Sequence, residues 1–374
     1  MTKYLITAST LALLLQAGAA YAENTTVFRA GFLPTAFVTP PKLVDCTLSD
    51  GSSGECYKMT VDSQPDEFTI EPFCPATTAD AGGLWQWDGD EAGLYRIDGD
   101  FLKMLDAQGF HFYDADGKVS ITDVRLDRPK GTNSCLSASL DAGVTMTMLI
   151  PAAPKMADTP SDLGTVAKVG VALDGVPIFA DAPSVLQTGH MPALDVCGGH
   201  IDPGGWYHWH ATASDIETPL NAAKVTADCT LTQAPSAQFG YAFDGFAMFG
   251  SLETDGSTPK DLDQCGGHKD ESAAGYHYHS SDSFPNLPTC LVGVTAEDNF
   301  STTAAQGIGA ANAGPGPGHE MDLDAVAKAL GVDATALREA LGAQGQRPDF
   351  AAAAQKLGIS EADLQAALPA PPPQ

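Results

Sequence analysis

The hydrophobic positions of this chain alternate with polar ones over short stretches, which is the pattern of half-buried β-strands. The alternation is clearest at 56–61 and at 144–150. Helical spacing is confined to the C-terminal end of the chain, at Leu323, Val326, Leu330, Leu337 and Leu341. The pattern predicts a mainly β fold, rich in loops, with a small α-helical tail at the C-terminus.

The first residues show a different pattern, with Lys3 followed by an apolar run over 5–15 and by Ala20-Tyr21-Ala22. This is the pattern of a secretory signal peptide over 1–22, with cleavage before Glu23. No later stretch approaches the roughly 20 apolar residues of a membrane-spanning helix. We therefore expect an exported protein, periplasmic or extracellular, without a membrane span.

Turn residues and composition divide the rest of the chain. We expect an N-terminal β-rich domain at 23–160, a duplicated domain at 165–295 and a Gly/Ala/Pro linker at 300–320. A helical tail follows at 321–368, where the chain repeats itself with an offset of 27 residues.

The duplication in the central region covers three motifs with offsets of 68 to 70 residues. The matching pairs are 170–175 with 240–245, 194–200 with 262–268, and 206–210 with 275–279. Each copy contains an apolar stretch ending in Asp-Gly, a Cys-Gly-Gly-His turn and a His-x-His strand between aromatic residues. Repetition of the order as well as the composition indicates an internal duplication.

Six of the nine histidines belong to this repeat: His200, His208, His210, His268, His277 and His279. In a β-strand the residues i and i+2 share a face, so each His-x-His pair presents two imidazoles side by side. The histidine of each Gly-Gly-His turn can supply a third nitrogen. Three neutral nitrogens with an open position suit zinc or copper, and the spacing predicts such a site. Structural, hydrogen-bonded histidines are the alternative.

Two aspartates, Asp195 and Asp263, precede the Gly-Gly-His turns. We expect each to orient a ring nitrogen from behind the ligands or to join the ligands directly. Asp174 and Asp244, each followed by Gly, are expected to form hairpin turns.

Eight cysteines in an exported chain predict disulfides before metal thiolates. Each repeat has one further cysteine after its His-x-His pair, which predicts the bridges Cys197–Cys229 and Cys265–Cys290. The other four cysteines are expected to pair within 23–160.

The chain carries 47 acidic and 19 basic residues, a formal net charge of −28. A field of this sign repels nucleic acid and anionic lipid surfaces, so neither is expected as a partner.

The second copy, with Tyr276-His277-Tyr278-His279 after Cys-Gly-Gly-His and Gly-Tyr-Ala-Phe-Asp-Gly, closely resembles the YHYH domain family of exported bacterial proteins. The first copy has Trp209 where the name motif has a tyrosine, with both histidines intact. The resemblance covers about 165–295. The family has no established reaction, so the function has to be argued from the residues.

The leading hypothesis is transition-metal binding, by zinc or copper, at two similar sites or at one shared site. One alternative is a metal-assisted hydrolase or oxidase, with Asp195 or Asp263 as base beside an aromatic-lined pocket. The other is an interaction module for a small molecule, glycan or protein, with structural histidines and exposed aromatic side chains at Trp206, Trp209, Tyr276 and Tyr278.

Overall fold

The computed structural model describes the chain in segments. These are residues 28, 31–62, 72–129, 131, 133–164, 167–212, 218–223, 234–269 and 275–310, with 327, 330–333, 336–337, 340, 350–360 and 364 near the C-terminus. The predicted signal peptide lies outside the described residues. The chain divides into two compact units, 1–311 and 312–374.

Strands dominate the described part of the chain, as the alternating pattern predicts. The first strands are β1 (Thr39–Thr47), β2 (Ser53–Asp62), β3 (Leu84–Trp87), β4 (Gly93–Arg96), β5 (Ile121–Asp123), β6 (Ser134–Ser137), β7 (Thr145–Pro151), β8 (Met156–Asp162), β9 (Lys168–Ala172) and β10 (Pro177–Phe179). The others are β11 (His190–Pro192), β12 (Gly199–Ile201), β13 (Tyr207–Trp209), β14 (Gln238–Ala242), β15 (Ala247–Phe249), β16 (Gly267–Lys269), β17 (Tyr276–His279), β18 (Cys290–Gly293) and β19 (Phe300–Thr302). The helices whose bounds fall within the described segments are α1 (Gly99–Ala107), α2 (Val185–Thr188) and α3 (Phe350–Leu357).

None of the helices in the described segments is long and apolar enough to cross a membrane.

The two alternating stretches found in the sequence form neighbouring strands of a four-stranded sheet with the order β1-β2-β7-β19. Along β7, buried positions alternate with partly exposed ones, and β2 buries Tyr57, Met59 and Val61 on one side. Both predicted strands are therefore confirmed.

The duplicated region forms one eight-stranded sheet with the order β12-β13-β10-β9-β14-β15-β17-β16. The first copy supplies the four strands of one half, and the second copy supplies the equivalent strands of the other half in mirrored order. The histidine-bearing strands therefore lie at the two outer ends of the sheet.

The two halves meet at the antiparallel pair β9–β14. Val171 faces Tyr241, Gly170 faces Ala242 and Ala172 faces Gly240. Because the strands are equivalent positions of the repeat, exchanging the copies reproduces the same pairing, as in a two-fold symmetric contact. Glycine is needed here, since a Cβ at Gly170 would stand 2.1 Å from the carbonyl oxygen of Tyr241.

The N-terminal residues pair with the segment that precedes the first Gly-Gly-His turn. Strand β6 pairs in parallel with β11, and Leu84 exchanges backbone hydrogen bonds with Leu194. One hydrophobic cluster contains buried side chains from 23–160 and from 165–295 alike, among them Trp87 and Trp209. The boundary at 160–165 remains a prediction from the sequence.

The first residues of the stretch assigned to a linker belong to the first compact unit. Strand β19 pairs with β7, and Phe300 is buried. Residues 311–320 lie outside the described residues.

Disulfides tie the first unit together at Cys46–Cys56, Cys74–Cys135 and Cys265–Cys290. The first two lie within 23–160 and the third is the bridge predicted for the second repeat. Cys197 is also disulfide-bonded, and Cys229 lies outside the described residues. Disulfides are typical of oxidising compartments, which is consistent with export.

The second unit has its own small apolar cluster, which includes Leu337 and Leu364. Gly331 has a φ of 67° and Gly358 a φ of 70°. In both places the amide after the glycine bonds to a carbonyl five residues earlier, at Ala327 and Ala354. This is a Schellman helix end repeated with the offset of 27 residues, and it confirms the helical tail.

The Gly170→Ala substitution should destabilise the junction between the two halves of the large sheet. The added Cβ meets a backbone oxygen that cannot rotate away, so the free energy of unfolding should fall by about 2–3 kcal/mol. Urea unfolding of the full chain followed by tryptophan fluorescence measures this change. Gly164→Ala is the control, since an added Cβ there meets nothing within 4 Å. Equal stability of the two variants would contradict the assignment.

Candidate metal centres

Strand register brings the histidines of each copy together. His200 lies directly opposite His208 on the β12–β13 pair, and His268 lies opposite His277 on the β16–β17 pair. The second histidine of each His-x-His pair follows two residues later on the same face. Each copy therefore gathers the three histidines that the sequence predicts.

The first centre consists of His200, His208 and His210. Its ring centroids form a nearly equilateral triangle with sides of 4.6, 4.7 and 4.7 Å. The Nε2 atoms of His200 and His210 are 3.1 Å apart. One nitrogen from each ring lies within 4.8 Å of the other two. Small movements of the rings would bring all three nitrogens to the roughly 2.0–2.1 Å at which zinc binds imidazole.

The second centre consists of His268, His277 and His279, with ring centroids 4.7, 5.2 and 4.9 Å apart. The Nε2 atoms of His268 and His277 are 3.2 Å apart. A carboxylate joins this group, because Glu253 places Oε1 3.3 Å from Nε2 of His268 and Oε2 3.8 Å from Nε2 of His279.

Backbone carbonyls lie beside Nδ1 of four of the six rings. In the second centre the carbonyl oxygens of Lys260, Gly275 and Gly250 lie 2.8, 3.0 and 2.7 Å from Nδ1 of His268, His277 and His279 respectively. In the first centre the carbonyl oxygen of Pro192, equivalent to Lys260, lies 3.3 Å from Nδ1 of His200. A ring that donates its Nδ1 proton to a carbonyl has a free electron pair on Nε2.

Burial keeps the first-centre rings neutral. It lowers the pKa of His200 to about 4, and it holds the pKa of His208 and His210 well below the usual value, with the neighbouring histidine rings adding to the shift. In the second centre burial also lowers the pKa of His279. Neutral imidazole is the form that binds a metal ion.

Asp195 and Asp263 hold the Gly-Gly-His turns instead of the histidine rings. Asp195 accepts from the backbone amides of Cys197 and Gly199, at 2.8 and 3.2 Å, and from the Tyr207 hydroxyl at 2.7 Å. The prediction that these carboxylates contact a ring nitrogen is therefore corrected, because their oxygens accept from backbone amides of the turn and from a tyrosine hydroxyl.

Asp263 repeats this arrangement. It accepts from the amides of Cys265 and Gly267 at 2.8 and 3.2 Å and from the Tyr276 hydroxyl at 2.9 Å. Each aspartate therefore fixes the turn that carries the third histidine, and the first aromatic residue of the YHYH motif ties that turn to the His-x-His strand.

The other aromatic residue of each motif anchors the predicted Asp-Gly turn. Gly175 and Gly245 have φ values of 87° and 90°, which confirms both turns. The Trp209 indole N–H donates to Asp174 at 3.1 Å, and the Tyr278 hydroxyl donates to Asp244 at 2.5 Å. Tryptophan can replace tyrosine in the first copy because both side chains supply a donor at the same end.

Burial of these aromatic side chains excludes them as an exposed binding surface. Trp206, Trp209 and Tyr278 are completely or almost completely buried, and Tyr276 is partly buried. The interaction module predicted from exposed aromatic side chains therefore has no such surface.

The two histidine centres are separate sites. Five inter-strand steps of the large sheet separate β13 from β17, which corresponds to roughly 20–25 Å at normal strand spacing. The sequence allowed either two similar sites or one shared site. In the described residues the two groups of histidines are too far apart to bind one ion together.

Glu253 is the site residue that the sequence analysis missed. It follows β15 in a tight turn, in which its amide bonds to the Ser257 carbonyl at 2.8 Å. The repeat comparison could not find it, because Pro183 stands 70 residues earlier, at the equivalent position.

A groove of about 470 Å³ opens beside the second centre. Charged and polar side chains line most of it, including Glu253, Lys260, Asp261 and Lys269, with Tyr276 as its aromatic residue.

The Tyr278→Phe substitution tests the anchoring role of the YHYH tyrosines. It removes the donor to buried Asp244 and the acceptor for the Val292 amide, which lies 2.7 Å from the hydroxyl. The free energy of unfolding should fall by about 2–4 kcal/mol, because two buried groups lose their partner. Tyr276→Phe is the matched control, with an expected loss under about 1 kcal/mol since water reaches exposed Asp263. Denaturant unfolding of both variants gives the comparison, and equal losses would contradict it.

Comparison with known proteins gives one family match, in the central part of the chain. No curated protein and no solved structure matches the chain. The model of the family described as YHYH protein matches residues 147–261, which include all of the first histidine centre and the start of the second copy. The chain therefore carries a YHYH domain, and the family assignment made from its motifs is confirmed.

Proposed function

We propose that this protein binds transition-metal ions, zinc or copper, at two centres, one in each copy of the repeat. The observation that carries the proposal is the convergence of three histidine ring nitrogens in each copy. Donation from Nδ1 to carbonyls leaves free electron pairs on Nε2 of His268 and His277, and these atoms face each other across 3.2 Å. Two electron pairs at this distance repel unless a cation lies between them.

Unpartnered nitrogens in the same places support the proposal. Both ring nitrogens of His208, Nδ1 of His210 and Nε2 of His279 are buried and have no hydrogen-bond partner. A structural histidine in a core satisfies both ring nitrogens, because an unsatisfied buried polar atom costs about 1–3 kcal/mol. The donor sets fit zinc or copper, since both ions accept imidazole nitrogen and zinc also accepts carboxylate oxygen.

The enzyme hypothesis has less support from the geometry. Its proposed bases, Asp195 and Asp263, are engaged by the Gly-Gly-His turns and by tyrosine hydroxyls. The groove beside the second centre has a mostly charged and polar lining, which differs from the aromatic-lined pocket that the hypothesis requires.

Elemental analysis of the untagged protein, purified after export, tests the proposal. The wild type should carry up to two equivalents of zinc or copper per chain after loading and desalting. His200→Asn and His268→Asn form a matched pair, because each removes the partly exposed turn histidine of one centre. Each should lose one equivalent, and the double variant should lose both.

Near-ultraviolet circular dichroism and the absence of free thiols serve as folding controls for these variants. A folded wild type that retains no metal after loading with either ion would overturn the proposal, and the histidines would then be structural.

A further inference from the structure

The two centres share three histidines but differ in the segment that follows the inner hairpin. In the second copy a tight turn at Glu253–Ser257 directs the Glu253 carboxylate towards Nε2 of His268 and His279. In the first copy Pro183 stands at the equivalent position and helix α2 begins two residues later. The ligand atoms that converge in the first centre come from three histidines, and those of the second come from three histidines and one glutamate.

The surroundings of the two centres also differ in polarity: those of the first are apolar, and those of the second are charged. His208 packs against Phe179 and Trp206, with ring centroids 5.0 and 4.9 Å apart, and it is 1% exposed. The small pocket of about 100 Å³ beside His200 is lined largely by apolar side chains such as Phe73 and Val124. The second centre borders the larger, charged groove that contains His268 and Glu253.

The charge of an ion decides which of two such sites it prefers. The cost of moving an ion out of water rises with the square of its charge, and it is highest where the surroundings are apolar. A divalent ion on three neutral imidazoles would bring two positive charges into the buried first centre. A cuprous ion brings one, and it accepts three nitrogen ligands without a fourth.

Glu253 lowers the cost of binding a divalent ion at the second centre. With its carboxylate as a ligand, a divalent ion leaves a net charge of +1, and four donors complete the tetrahedral set that zinc prefers. The same net charge is thus reached in the first centre by a monovalent ion and in the second by a divalent ion with a carboxylate.

We infer that the two centres select different ions: the first holds a cuprous ion on His200, His208 and His210, and the second holds a divalent ion, zinc foremost, on His268, His277, His279 and Glu253. Glu253 is then the residue that determines the selectivity of the second centre. This inference rests on the proposed metal binding and adds the oxidation state and charge of the ion at each place.

Competition titrations on the full-length, metal-stripped protein test the inference. Affinity for Cu(I) is measured without oxygen against a bicinchoninate chelator, and affinity for Zn(II) against a fluorescent zinc chelator. His268→Asn should keep one tightly bound Cu(I) and lose Zn(II). His200→Asn should keep Zn(II) and lose the tightly bound Cu(I).

Glu253→Gln gives the sharper test, because it removes one charge from a partly exposed side chain and leaves all six histidines in place. Mutation of residues that only hydrogen-bond to metal ligands lowers metal affinity by about 10- to 100-fold. Loss of a carboxylate that binds the ion directly should therefore weaken Zn(II) binding at least about tenfold. Binding of Cu(I) at the first centre should not change. Glu297→Gln, at an exposed glutamate outside both histidine groups, is the control and should change neither affinity.

Two results would overturn the inference while metal binding itself stands. One is the same preference for Cu(I) over Zn(II) in His200→Asn and His268→Asn. The other is an unchanged Zn(II) affinity in Glu253→Gln. Absence of both ions from the folded wild type would overturn the inference together with the proposed function.

Discussion

The register between the Gly-Gly-His strand and the His-x-His strand is the constraint on which both centres depend. It sets the turn histidine opposite the first histidine of the pair, and alternation places the second histidine on the same face. A slip of the His-x-His strand by one residue would turn its two imidazoles to the opposite face and bring its aromatic residues into the site. The aspartates prevent such a slip, because each bonds both to backbone amides of the turn and to a side chain on the neighbouring strand.

The YHYH motif can therefore be explained position by position. Its histidines face the centre, while its aromatic residues face away and donate to two aspartates that shape the turns on either side. The first centre shows which property matters at the second aromatic position, since Trp209 supplies a donor there as Tyr278 does. The motif thus joins ligands and scaffold within four consecutive residues.

Much of the site follows from the sequence because strand periodicity and internal repetition are local properties. The shared face of each His-x-His pair, the third histidine and the Asp-Gly turns all come from spacing alone. The separation of the centres depends on strand order, which follows from how β9 and β14 pair and is not encoded in any single motif. Glu253 could not be found by comparing the two copies, because only the second copy has a glutamate at this position. The contacts of Asp195 and Asp263 were misassigned because backbone amides and carbonyls, which have no sequence signal, compete for the same partners.

The pairing of β9 with β14 makes the duplicated region equivalent to a homodimer whose subunits are covalently linked. A protein with a single copy of the module would leave the edge of its β9 strand unpaired, and an unpaired edge readily recruits another strand. Self-association of two identical chains would cover that edge with the same symmetric contact. Fusion into one chain removes the dependence of this contact on protein concentration, and it also frees each copy to change its ligands without changing the other.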